Sequence, residues 1–380
     1  MSHYDAVVIG AGPAGIASAL ELAMADWKVL LIDKSAFPRD KVCGGFIGPE
    51  NKEILNEYGI MDDVMRQGAQ PVRYIHISAT NGVSVRVPLC YNGRPDYGLG
   101  ISRRAFDQIF LDRARGEGVE FLAKATARDI IHRGGHSTFT LVRLDTGEKT
   151  AMSANHIIHA HGGSVKSRRP ASRLFGVSCL FDRINGTDAE VIMHFIDQGH
   201  AGINRFEDGT VNVCYVIKES LFKRYQGSFE KIWDHMLDAN PNLSRQMRAG
   251  RPLTRWQGTF VDMARPSRFF DGNAFYVGDA ASLIHPVAGG GITLALSGGI
   301  LLGSLLGQDY PQDVSRATVA AAYARAFRRR YALPIRASRM IGALGHHNQA
   351  SRTVIRLLKW REGDLHQLFS LFHQPAVLQA

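Results

Sequence analysis

The chain of 380 residues is 45% hydrophobic and 21% charged, which excludes a disordered or low-complexity protein and allows a large core in two lobes. Its net charge of +10 points toward nucleic acid or anionic lipid, but no nucleic-acid module is recognisable, and much of the excess lies in one late segment. Cys43, Cys90, Cys179 and Cys214 are widely spaced and no apolar leader precedes the first strand, so the expectation is a cytoplasmic protein with reduced thiols and no nucleic-acid partner.

The opening stretch, residues 5–33, organises the rest. An apolar strand pattern over residues 6–9 runs into Gly10-Ala11-Gly12-Pro13-Ala14-Gly15, and an amphipathic helical pattern follows. Gly10 permits a tight turn, Gly12 lets backbone approach a diphosphate, and Gly15 lets the helix pack closely on the strand. The free N–H groups at the helix start, where Gly12, Pro13 and Ala14 stand, then face the diphosphate, Pro13 itself having no N–H to offer. A second apolar run, 29–32, ends in Asp33, placed to accept from ribose hydroxyls with Lys34 beside it. Strand, glycine turn, helix, strand and acid in that order predict a dinucleotide site.

Next comes the turn-rich loop Phe37-Pro38-Arg39-Asp40-Lys41-Val42-Cys43-Gly44-Gly45-Phe46. Arg39 or Lys41 can neutralise a diphosphate, and Gly44 and Gly45 let the chain pass close to a flat ring. The fingerprint followed by F-P-R-x-K-x-C-G-G resembles the FAD-dependent oxidoreductases of the p-hydroxybenzoate hydroxylase fold, particularly the geranylgeranyl-reductase-like branch. The resemblance implies an α/β fold: a Rossmann-type FAD-binding lobe, an antiparallel β-sheet substrate lobe and a C-terminal helical segment. The expected order is FAD lobe 1–73, substrate-lobe strands 74–100, FAD lobe 101–174, substrate lobe 175–265, FAD lobe 266–310 and helical segment 311–380.

Alternation over 74–87 around Asn81-Gly82 predicts a hairpin, which the resemblance assigns to the substrate lobe. A helix starts within 101–107, and the resemblance places Arg103 near the FAD phosphates. Residues 119–127 read as one strand, with backbone near Ala127 meeting the adenine by resemblance. A hairpin follows over 138–151, turned at Asp145-Thr146-Gly147. On the strand ending near His161, His159 and His161 share one face and His156 takes the other, so no metal site is expected. The family commonly has Asp-Gly where this chain has His161-Gly162. That departure leaves the electron donor open between NAD(P)H and a separate flavin reductase.

Strand patterns over 177–181, 190–195, 211–217 and 255–261, with one helix at 229–237, predict the substrate sheet. His194, Asn204 and Tyr215 are either pocket-lining or ordinary sheet positions. The second diagnostic cluster is Gly278-Asp279-Ala280-Ala281, then His285-Pro286-Val287-Ala288-Gly289-Gly290-Gly291-Ile292. Asp279 can bond a ribityl chain, and a helix opened by Gly289, Gly290, Gly291 and Ile292 can stabilise charge on a reduced flavin. The apolar tract 289–306 reads as a buried helix rather than a membrane span.

Residues 317–374 read as helical and basic, with His346 and His347 as surface residues. Arg325, Arg328, Arg329, Arg330, Arg336 and Arg339 make this segment a candidate for peripheral contact with anionic lipid as well as a solvated cap. Cys43 and His285 are the side chains nearest the expected ring, as candidates for proton transfer, substrate orientation or simple packing. The favoured activity is monooxygenation of an apolar or aromatic metabolite through a flavin hydroperoxide. Reduction of prenyl double bonds is the alternative. Halogenation ranks lower because no lysine lies between Lys52 and Lys124, and a catalytically silent flavin protein is the non-enzymatic reading.

Overall fold

The computed structural model describes residues 2–163, 173–184, 186–307 and 315–360. In the first lobe, strand Ser2–Ile9 lies between Val29–Ile32 and Lys149–His159, all parallel, with Glu120–Leu122 beyond Val29–Ile32 and Phe275–Tyr276 beside Lys149–His159. The central strands read as continuous apolar runs because both faces are buried. Ala6, Val8 and Leu31 face the helix layer, whereas Val7, Leu30 and Ile32 face Phe139, Leu141 and Met152 of an antiparallel meander.

The meander comprises Ala125–Arg133, His136–Arg143 and the first half of Lys149–His159. The single strand expected over 119–127 is therefore two. Lys124 takes φ +51, its N–H donates to the Ser35 carbonyl, and the chain turns from the parallel edge into the meander. Two helices set the geometry of the site. Pro13–Met24 and Gly291–Gly307 touch backbone to backbone, since a Cβ on Gly299 would lie 2.3 Å from the Ala14 carbonyl oxygen, and one on Gly303 2.4 Å from the Glu21 Cβ. Gly307 meets Ala25 further along, so the helices run in the same direction. The start of Gly291–Gly307 stands about eight residues, roughly 12 Å, beyond the point where Gly299 crosses Ala14.

The second lobe is an eight-stranded sheet into which the 74–87 hairpin does insert: Tyr74–Ser78 pairs with Ser84–Pro88 and, in parallel, with Glu190–Ile196. Among the described strands that is the one parallel pairing in an otherwise antiparallel sheet. Strand Gly199–Arg205 went unpredicted because its sequence is poor in β-branched residues. It exists because it is held on both sides, by Glu190–Ile196 and Val211–Lys218; a Cβ at Gly199 would lie 2.6 Å from the Val216 carbonyl oxygen. Phe229–Ala239 covers one sheet face with the short helices Glu219–Arg224 and Pro241–Met247, to which the sequence reading assigned no element. Arg316–Gly345 packs on Gly291–Gly307, and Asn348–Trp360 packs against Ser84–Pro88 and Glu190–Ile196.

Candidate functional site

The glycine turn has the asymmetry expected of a diphosphate cradle. Gly10 has φ +115, and a Cβ there would lie 2.5 Å from the Ala160 carbonyl oxygen; at Gly15 it would lie 1.9 Å from that of Gly10. Gly12 is different. It has ordinary extended backbone, and its nearest non-local atoms would be guanidinium nitrogens of Arg103 and Arg39, at 3.7 and 3.9 Å. Among the described residues, what stands in front of Gly12 is therefore a pair of cations at a helix N-terminus, an arrangement that favours an anion.

Both cations are aimed by Asp107, which the sequence reading missed. Its side chain is fully buried and accepts from Arg103 Nε at 2.7 Å, from a second Arg103 nitrogen at 2.6 Å and from Arg39 at 3.1 Å. Burial works against the charge on Arg103, but Asp107 outweighs it, and the Arg103 pKa is raised. The signal was present as an Arg–Asp pair one helical turn apart. Arg39 also donates to the Ala11 carbonyl at 3.0 Å, so the 37–46 loop is tied to the glycine turn. Lys41, Asp279 and Asp33 share the electrostatic neighbourhood of these arginines.

Asp33 accepts from the Ala11 and Ser35 N–H groups, both at 2.8 Å, so it fixes the turn and keeps its remaining lone pairs for a further donor. Lys34 follows Asp33 on the exposed side. The Ala125 N–H donates to the Asp33 carbonyl, which puts Ala127 two residues along the strand leaving this corner. Asp279 sits exposed in the turn Gly278–Ala280, with Lys41, Arg103 and Arg265 as its charged neighbours.

Beyond it lies the second helix start. Gly289 takes φ +64 against Phe46, Gly290 abuts Ile284, and Gly291 has open space where a side chain would go. Ile292 turns inward to the core. Thr293, in the first turn, donates to buried Glu50 at 2.6 Å and accepts from Asn51 at 2.8 Å, anchoring this helix start. The loop before Phe46 is held from the other lobe: Asn212 donates to the Cys43 carbonyl at 2.9 Å, and Asn204 to those of Gly44 and Gly45 at 3.2 and 3.0 Å. Asn204 is thus a loop anchor rather than a pocket wall. A Cβ on Gly45, at φ +65, would lie 2.2 Å from Phe206.

These residues fit FAD. Two helix starts facing one way, cations in front of the first and open glycine before the second, match a diphosphate and a flat ring held apart along one ligand.

Neither side chain singled out for chemistry faces an apolar cavity. Cys43 lies beside Arg103 in a polar cleft that also includes Lys41, Ser102 and Asn212. His285 caps the Pro286–Ala288 turn by accepting from the Val287 N–H at 3.2 Å, and its ring packs on Gly342. His346, expected on the surface, is buried: its Nε2 lies 2.8 Å from Nδ1 of His200, and its ring is 5.2 Å from that of His285. Burial lowers His285 to about 4 and His346 to about 3. His194 is also interior, between Ser78 and Gln246, and the Tyr215 hydroxyl donates to the Phe229 carbonyl. His159 and His161 do lie together, with ring centres 5.4 Å apart, while the His156 ring lies tilted against Trp27 at 5.1 Å. Among the described residues no group of three suitable ligands could hold a metal.

A separate apolar pocket, with about 940 Å³ of empty space including its mouth, lies between the substrate sheet, the 286–289 turn and the two C-terminal helices. Ile75, Ile77, Met193 and Phe195 form its floor; Val287, Ala288 and Gly289 form the wall leading to the second helix start; Ile341, Leu344, Ile355 and Leu358 form the roof. Among the described residues no titratable side chain lines it, and the one described hydroxyl, Ser351, donates to its own helix at 3.0 Å. Sequence reading missed it because sheet and roof are more than a hundred residues apart in the chain.

A family model described as "FAD binding domain" matches residues 3–330. Menaquinone reductase of Mycobacterium tuberculosis is 31% identical over 176 residues, 45% of this chain and 40% of that protein. Digeranylgeranylglycerophospholipid reductase of Methanococcus vannielii is 25% identical over 330 residues, 80% of this chain and 76% of that protein. The chain spans 40 to 65% of the length of the first four curated relatives it matches. Among solved structures, flavin-dependent brominase Bmp2 has a TM-score of 0.81 at 17% identity, covering 98% of this chain and 94% of that one.

Proposed function

Because the chain belongs to the FAD binding domain family, an FAD-dependent oxidoreductase family, we propose that it is a monooxygenase acting on an elongated apolar substrate. The apolar pocket carries this reading: its wall is the turn that feeds the second helix start, and its described lining offers contact area with no charge to recognise a polar metabolite. Bound FAD would supply the redox chemistry, with Gly12, Arg39 and Arg103 holding its diphosphate, Asp33 the ribose, Asp279 the ribityl chain and residues 289–292 the ring. The chain's own residues exclude water and orient the substrate. Reducing an isolated double bond requires a proton at carbon, and no described side chain lining this pocket can donate one except the Ser351 hydroxyl. Oxygenation delivers oxygen rather than a proton to the substrate carbon, and the protons it does require pass between oxygen atoms.

The relatives named as lipid and quinone reductases support a second reading, reduction of a prenyl chain in the same pocket. Halogenation has less support, because no lysine lines the pocket among the described residues and none occurs between Lys52 and Lys124. The test is to reduce the holoprotein anaerobically with NADH, NADPH or a flavin reductase, then offer a long-chain alkylresorcinol with isotopically heavy dioxygen, and geranylgeraniol without oxygen. Label in the resorcinol product supports monooxygenation. Hydrogenated geranylgeraniol with no labelled resorcinol overturns it in favour of the reductase. The donor that bleaches the flavin identifies whether His161, where the family commonly has aspartate, goes with nicotinamide or with a partner reductase.

A further inference from the structure

We propose that the outer face of the C-terminal helices docks this protein on an anionic lipid bilayer, with the mouth of the apolar pocket against the membrane. On Arg316–Gly345, Leu333, Met340 and Leu344 are 63, 60 and 41% exposed. Seven and eleven residues from Leu333 return to within about 20° of the same direction, so the three form one stripe. Leu357 of Asn348–Trp360 is 57% exposed as well. Large apolar side chains concentrated this way mark an interaction surface.

The surrounding charge selects the partner. Between residues 316 and 359 there is no aspartate or glutamate. Arg329 and Arg336 flank the stripe on one side, Arg356 and Lys359 are exposed on the last helix, and none of these four makes an ion pair among the described residues. Unneutralised cations around an apolar stripe complement anionic headgroups over acyl chains. No helix of the described residues is long and apolar enough to cross a membrane, so the contact lies in the interface. The stripe is continuous with the pocket: Leu344 belongs to both, and Leu358, next to Leu357, lines the roof. Entry of a lipidic substrate by this route rests on the pocket being the substrate site; the docking itself does not.

The experiment is sedimentation of the holoprotein with vesicles of phosphatidylcholine, alone or with about one third phosphatidylglycerol. Binding to the anionic vesicles is expected to be at least about tenfold tighter than to the neutral ones, and lost near 1 M salt. Leu333→Glu/Met340→Glu should weaken it about tenfold or more, and Arg329→Glu/Arg336→Glu by about thirtyfold or more, since each of the two basic charges lost near the surface contributes on the order of 1 kcal/mol. None of these four residues touches the pocket, so flavin absorbance and turnover of a water-soluble substrate remain as in the parent. No binding to anionic vesicles, or binding that neither pair weakens, overturns the proposal. So does a dimer abolished by Leu333→Glu/Met340→Glu without any vesicle binding. Vesicle binding without oxygenase turnover leaves the docking standing and refutes only the functional reading.

Discussion

Replacing Gly12 with alanine separates the diphosphate cradle from the packing around it. Alanine accepts the Gly12 backbone, φ −86 and ψ 177, without strain, and the new methyl lies no closer than 3.7 Å to any non-local atom. The apoprotein should therefore keep its stability to within about 1 kcal/mol, the loss at a helix start being offset by a stiffer unfolded chain. The methyl projects toward the two guanidinium groups, into the space assigned to the diphosphate. Overpacking there costs about 3 kcal/mol, a little over a hundredfold in the Kd for FAD. Gly15→Ala is the control. Its Cβ would stand 1.9 Å from the Gly10 carbonyl oxygen, so the apoprotein itself should lose on the order of 3 kcal/mol or more. Flavin-fluorescence titration of the apoproteins gives the affinities, and thermal melting gives the stabilities. Wild-type affinity in Gly12→Ala would refute the assignment of the diphosphate, and a melting loss matching that of Gly15→Ala would refute the open cradle.

Asp107→Asn leaves Arg39 and Arg103 buried and poorly paired, so the apoprotein should lose about 3 kcal/mol, while FAD raises its melting temperature by more than it raises the parent's; an equal rise would show that the arginines do not face the ligand. His285 and His346 are held neutral in the fold, so their contribution is complete above the unfolded pKa near 6.5 and lost as pH falls toward their folded values. For His285, from about 6.5 unfolded to about 4 folded, the loss by pH 5 is about 2 kcal/mol; thermal melts from pH 7.5 to 5 should show it, with a shallower slope in His346→Gln. Met193→Trp fills the pocket floor, and should retain flavin absorbance and reduction by the donor but lose substrate turnover at least tenfold, measured as product formed per reduced flavin. Undiminished turnover would place the substrate elsewhere.

Local chemistry was enough to reveal the first strand, glycine turn, helix and acid, because each piece is dictated by its own residues: only glycine accepts φ +115 at Gly10, and only apolar residues suit a strand covered on both faces. The Asn81-Gly82 hairpin was legible for the same reason, since turn residues act over a few positions, whereas the Gly278-Asp279 cluster stood out through its resemblance to the family. The sequence also showed that the late segment is basic and helical.

Contacts between distant stretches decided the rest. Gly199–Arg205 is a strand because two neighbours pin it, and His346 is buried because His200 and His285 close over it from other elements, with Phe195 packed on the preceding Gly345. Asp107 became part of the cradle only when Arg39, sixty-eight residues earlier, reached the same carboxylate. The apolar pocket needs a floor from the substrate sheet, a wall from the 286–289 turn and a roof from residues 341–358, none of which is distinctive alone. Burial is a property of what packs above a residue, and residue type and spacing report only what that residue can tolerate.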